Sequence, residues 1–144
     1  MDNLKKIVIA IDNDPTSEKI ALIGFQLGLQ LNAEIALLSV VDTTMLITEG
    51  AITPKEFADI SIKDYKKNQQ ILIDTIFKKH KVWTFVEEGI PYQVILNVAK
   101  EWDADIIVLG THGRTGISHL IMGSVAEKIV RHSEIPVFII PAKP

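Results

Sequence analysis

The feature that most restricts this 144-residue chain is a regular alternation. Short β-branched runs are each followed by a longer segment with helical spacing. "KKIVIAID" (residues 5–12) is apolar on both faces and ends in an acid, as a strand buried on both sides does. "DPTSEKIALIGFQLGLQLN" (14–32) follows. Asp14 is placed to cap its first turn and Pro15 to occupy a position where a missing N–H costs nothing. Ile20, Leu27 and Leu31 fall on one side of that helix, with Ile23 and Gly24 beside them. "EIALLSVVD" (34–42) is a second buried strand.

The pattern then repeats. After a connector over 43–52, "TPKE" combines the Thr53/Glu56 spacing of a capping box with Pro54 in the first turn. The spacing predicts a long amphipathic helix to about Lys79, with Tyr65, Leu72, Ile76 and Phe77 on its apolar side. "KVWTFVEEG" is a third strand, and Pro91 opens a helix to about Trp102 that buries Val94, Ile95 and Val98. "DADIIVLG" (103–110) is a fourth strand. "SVAEKIVRHS" is a helix whose Ser124 and Glu127 form a second capping box, and "IPVFIIP" is a last strand fenced by Pro136 and Pro141. No repeat, low-complexity segment or linker interrupts the series, so residues 1–144 are expected to form one domain.

Five strands alternating with four helices imply an α/β fold, a doubly wound parallel sheet with helices on both faces. Ligands of such sheets sit beyond the carboxyl ends of the strands, where the strand order reverses. Two chain ends of this kind stand out: Asp12 after the first strand and Gly110 after the fourth.

Composition excludes several other classes. Apolar residues make up 47% of the chain and charged residues 23%, with a net charge of −3. No basic stripe marks a nucleic-acid or membrane-surface binder. There are no cysteines, which removes disulfides, thiolate metal sites and cysteine nucleophiles and fits a reducing cytoplasm. The apolar run after Lys5 and Lys6 ends at Asp12, too soon for a secretory core, and no stretch is long enough to span a bilayer. His80, His112, His119 and His132 lack metal-ligand spacing. Trp83 and Trp102 read as packing residues.

The segment "GTHGRTGISHLIMGS" (110–124) carries the functional signal. Gly110 and Gly113 suit a turn after the fourth strand, and Gly123 with Ser124 the start of the last helix. Inward-pointing N–H groups leading into a helix N-terminus make an anion site. Arg114 is the nearest cation, and a guanidinium suits phosphate. Neither G-x-x-x-x-G-K-[ST] nor G-x-G-x-x-G is present, and neither is the G-x-S-x-G of serine hydrolases.

Gly110-x2-Gly113-x9-Gly123-Ser124 resembles the pattern of the universal stress protein family, in its nucleotide-binding branch. "IVIAID", "LLSVVD" and "GSVAEKIVRHSEIPVFIIP" extend the likeness along nearly the whole chain. The resemblance implies a five-stranded sheet of order 3-2-1-4-5, ATP as ligand, alone or with Mg²⁺, and a cytoplasmic regulatory protein of the stress response. It implies that Asp12 holds the adenosine part, that the Val40 backbone contacts adenine, and that Gly110, Gly113, Gly123 and Ser124 bind ribose and phosphates. It also implies a homodimer through the last strand, whose apolar "VFII" is the kind of sheet edge that finds a partner. Where the family commonly has a small residue and a serine after the aspartate, this chain has Asn13 and Asp14. With no cradle lysine or evident base, slow ATP hydrolysis at most is expected. The alternative is a nucleotide-free dimeric scaffold of the same fold.

Overall fold

A computed structural model describes residues 4–45, 53–111 and 122–141. Its strands are β1 (Lys6–Ala10), β2 (Glu34–Asp42), β3 (Val82–Gly89), β4 (Ile106–Gly110) and β5 (Val137–Ile140). The helices are α1 (Ser17–Leu31), α2 (Pro54–Leu72), α3 (Pro91–Glu101) and α4 (Ser124–His132). All strand pairs are parallel, in the order β3-β2-β1-β4-β5. The alternation and the order implied by the resemblance are both present.

Strand parity sorts the core into two layers, because successive side chains point to opposite faces. Ile7 and Ile9 of β1 join Ile20, Ala21 and Phe25 of α1 and Leu72 of α2 on one face. Val8 and Ala10 join Ile95 and Val98 of α3 and Ala126 and Ile129 of α4 on the other. Helix α1 comes very close to the sheet. A Cβ built on Gly24 would stand 2.6 Å from the Cδ1 of Ile9, and one on Gly28 2.5 Å from that of Ile35.

Three helix boundaries differ from the sequence reading. Helix α1 starts at Ser17 with Thr16 as its cap residue, not at Asp14 and Pro15. Asp14 instead closes a turn just before it, accepting from the Thr16 N–H at 2.8 Å and from the Thr16 hydroxyl. Helix α2 ends at Leu72 and passes into a wider π-helical turn over Ile73–Phe77, short of Lys79. Helix α4 is capped by Gly123, with no side-chain cap, so Ser124 is the first helical residue rather than the cap. The Thr53 cap is as expected, its hydroxyl accepting from the Glu56 N–H at 3.1 Å.

Two long-range polar contacts fix the frame. The Asp105 carboxylate, at the entry to β4, accepts the N–H groups of Lys5 and Lys6 at 2.9 Å each and so ties β4 to the start of β1. Gln69, 2% exposed, donates from Nε2 to Ser39 Oγ and to the Phe85 carbonyl, both at 3.0 Å, which pins α2 to β2 and β3. Trp83 and Trp102 are half-buried with ring centroids 5.9 Å apart, in the packing role expected of them.

Gly89 ends β3 at φ +148°, and a Cβ there would lie 2.7 Å from Val94 Cγ2. That residue sets the turn that brings Pro91 and α3 to the top of the sheet. Gly89→Ala should therefore lower stability by about 1–3 kcal/mol, through backbone strain and the clash together. Urea unfolding measures the loss, and adding Val94→Ala should restore the steric share. An unchanged midpoint in Gly89→Ala would contradict the strain.

Candidate functional site

The site begins where β1 stops. Its ladder with β2 pairs Ala10 with Leu38 and closes with the Ile11 N–H on the Leu38 carbonyl at 2.9 Å. Strand β2 runs on to Asp42 and β4 to Gly110, while the β1–β4 register ends at Ile9 and Val108. Beyond Ala10 the sheet has lost its middle strand. A cavity of about 270 Å³ occupies the space, at the carboxyl ends of the strands and at the point where the order reverses.

Its walls come from every nearby element. Asp12 and Thr16 enter from the segment after β1, Val40 and Asp42 from β2, and Tyr65 from α2. Gly110 and Thr111 come from β4, Pro91 and Ile95 from α3, and Gly123 to Ala126 from the start of α4. Of the residues singled out from sequence, Asp12, Val40, Gly110, Gly123 and Ser124 line this one cavity. Gly113 and Arg114 lie outside the described residues, as do His112 and His119.

Two kinds of backbone group meet here. The peptide groups of alternate β2 residues point to the same neighbour. Leu38 bonds toward β1, so the N–H and C=O of Val40, two residues on, point the same way, past the end of the ladder and into the cavity. On the opposite side, the end of β4 and the approach to α4 are joined by the Gly123 N–H, which donates to the Thr111 carbonyl at 2.7 Å. The Gly123 amide is thus engaged within the protein and is not one of the inward donors. The Thr111 N–H is likewise held, by the Ile140 carbonyl at 2.9 Å. The amides of Ser124, Val125 and Ala126 have no intrahelical acceptor, because they open α4. They bring the positive end of the helix to the cavity wall.

Carboxylates mark the remaining wall. Asp12 Oδ1 accepts from the Asn13 N–H at 2.8 Å and from the Tyr65 hydroxyl at 3.1 Å. Asp42 Oδ1 accepts from the Thr44 N–H at 2.9 Å and from its hydroxyl, closing a turn at the end of β2. No lysine, arginine or histidine is among the described residues of the wall. Sequence reasoning missed Tyr65, Asp42, Thr16 and Thr111. For Tyr65 there was a signal: it is the one member of an otherwise aliphatic and phenyl stripe whose buried hydroxyl must find a partner.

Over residues 3–141 the chain matches the model of the universal stress protein family. The chain belongs to that family. Universal stress protein YxiE of Bacillus subtilis is 30% identical over 144 residues, covering 94% of this chain and 97% of that protein. The solved structure of MJ0577 of Methanocaldococcus jannaschii superposes with a TM-score of 0.80 at 25% identity, covering 98% of each chain. A universal stress protein from Archaeoglobus fulgidus, solved in complex with dAMP, has a TM-score of 0.63 at 17% identity and covers 96% of this chain and 98% of its own. At that identity the likeness is one of fold. No helix among the described residues is long and apolar enough to cross a membrane.

The departure from the family pattern at Asn13 and Asp14 has a structural account. Asp14 does not line the cavity, and its Oδ1 is spent on Thr16 at the approach to α1. Asp14→Ala should cost about 1 kcal/mol in chemical denaturation, the usual net worth of an intramolecular hydrogen bond. A variant as stable as the parent would show that the turn does not depend on it.

Proposed function

We propose that this universal stress protein binds ATP, alone or as its Mg²⁺ complex, in the cavity beyond β1, and works as a dimeric regulatory protein of the stress response. One observation carries the reading. The same cavity is bounded by an open peptide edge at Val40 and by the first-turn amides of α4. An N–H and a C=O side by side match the acceptor and donor on the Watson–Crick edge of adenine. A helix N-terminus suits phosphate. Asp12 lies between them as an acceptor for the sugar. In this reading Gly113 and Arg114, which lie outside the described residues, would serve the phosphate end. The complex of the A. fulgidus relative with dAMP supports an adenine nucleotide as the ligand class.

Mg²⁺ would be carried by the phosphates. No three His, Asp or Glu side chains among the described residues converge as a cage for it.

Melting curves with ATP, ADP and AMP test the reading. At nucleotide about 100 times its Kd, bound protein should gain roughly 2.7 kcal/mol, or about 5–10 °C in Tm. Ser124→Pro separates the two ends of the site. Proline is accepted at the first helical position, and Gly123 already has the extended φ −62°, ψ 160° that a following proline requires. The variant deletes one cavity amide without breaking the helix, so it should weaken ATP several-fold and adenosine hardly at all. Flat curves with all three nucleotides would leave the fold to the scaffold reading.

The dimer would form along β5. Phe138 on that strand is 41% exposed and Val130 on α4 is 50% exposed. A charge at the edge of a sheet blocks pairing. Phe138→Asp should convert a dimer to a monomer in light scattering. A monomeric parent would refute this part alone.

A further inference from the structure

We propose that Tyr65 is the positioning residue for Asp12, holding its carboxylate to receive the vicinal hydroxyls of a ribose, so that the site distinguishes ribonucleotides from analogues lacking that diol. The inference rests on the nucleotide reading above and adds the residue that sets sugar selectivity.

Asp12 lies beyond the last residue of β1, where no ladder restrains it. Its Oδ1 takes one hydrogen bond from the next residue's N–H, which moves with the same segment. A second comes from a hydroxyl 53 residues away. Tyr65 is 4% exposed and sits in the middle of α2.

The direction of control follows from what holds α2. Gln69 stands one helical turn after Tyr65, on the same side of the helix. It is bonded to Ser39 of β2 and to the Phe85 carbonyl of β3. Helix α2 is therefore fixed to the sheet by contacts that do not involve Asp12, and it presents the phenol to the loop carboxylate.

Tyr65 also lines a smaller cavity of about 180 Å³ beside the first, shared with Asp42 and walled by Asn13, Ser61 and Asp64. Its ring is thus part of the wall of both spaces, and its burial against α2 and the sheet holds the phenol on the Asp12 side. With Oδ1 carrying two donors, rotation of the carboxylate about its Cβ–Cγ bond is restrained. A carboxylate only accepts hydrogen bonds. The ligand group that it selects must be a donor, and among the parts of a nucleotide the ribose diol supplies two adjacent ones. A site that meets a donor with an acceptor held in fixed direction disfavours an analogue lacking that donor.

Calorimetric titration of the full chain with ATP and with 2′,3′-dideoxy-ATP tests the assignment, in the parent, Tyr65→Phe, Asp12→Ala and the double variant. The parent should prefer ATP by about tenfold or more, the scale of a hydrogen bond to a charged group. Tyr65→Phe should lose most of that preference by weakening ATP, with dideoxy-ATP unchanged within about twofold. In the Asp12→Ala background the same substitution should have no further effect on ATP, since the two residues act as one unit. If the Phe variant fails to fold, Tyr65→Met, of similar volume and without the hydroxyl, carries the same comparison. Equal weakening of both nucleotides by Tyr65→Phe would reduce Tyr65 to wall packing and overturn the proposal. So would additive losses in the double variant, or a parent with no preference, while ATP binding itself stood. A parent that binds neither nucleotide would remove the nucleotide reading and this one with it.

Discussion

Strand β1 is too short, and the cavity exists because of it. Its neighbours continue past Ala10, β2 to Asp42 and β4 to Gly110, so the centre of the sheet ends below its flanks. A continuous ladder would have consumed the peptide groups of Val40. Ended at Leu38, it leaves them aimed at a space that the surrounding helices only partly fill. The strand order puts the reversal at this same place, with β2 on one side of β1 and β4 on the other. The right-handed crossovers of a parallel sheet then send α1 and α2 to one face and α3 and α4 to the other, and parted chains at the top are the consequence.

Around that gap, polar contacts keep the elements in place. Asp105 holds the lower ends of β1 and β4 together, Gln69 holds α2 on β2 and β3, and the Gly123 amide holds α4 to the end of β4. Each joins segments far apart in sequence. A buried group such as Gln69 costs stability when its partner is lost, so the position of the α2 wall is tied to the stability of the fold. The same amide also corrects a simple picture of the glycine segment. Gly123 secures the entry to α4 and leaves the outward donors to the residues after it.

How much of this could be read from residues alone depends on the range of the interaction responsible. Strands β1, β2 and β4 were legible because burial on both faces leaves uninterrupted apolar runs, and the partly buried edge strands β3 and β5 because Gly89 and the prolines at 136 and 141 bound their apolar runs. The cap at Thr53 was legible because its partner is three residues away. The start of α1 was misread because Asp14 spends its side chain on the Thr16 N–H, and the turn this closes postpones the helix to Ser17. Ser124 was misread for a different reason. The bond from the Gly123 N–H to Thr111 draws the chain in extended at 123 and makes that glycine the cap, and nothing local to "GSVAE" signals it. The strand order came from the family resemblance, not from periodicity. Tyr65 was placed correctly on the apolar side of α2, but its bond to Asp12 spans 53 residues and belongs to the tertiary fold.

The charges on the wall divide the work that the proposed ligand would require. Asp12 and Asp42 stand on the β1–β2 side, and the positive end of α4 stands on the other. A ligand uniform in charge would be repelled by one half of this cavity. One with hydroxyls at one end and phosphate at the other is complementary to both halves and can enter in only one orientation. A helix terminus is worth a fraction of a kcal/mol to about 2 kcal/mol per charge and is screened by salt. A fixed carboxylate that must be matched by a donor acts over a single hydrogen-bond length. The phosphate end would therefore contribute affinity that varies with ionic strength, while the choice among ligands would be made at the nucleoside end, by Val40 and by the Asp12–Tyr65 pair. With such a ligand, selectivity would be set by the hold of α2 on the sheet rather than by the glycine segment that first draws the eye.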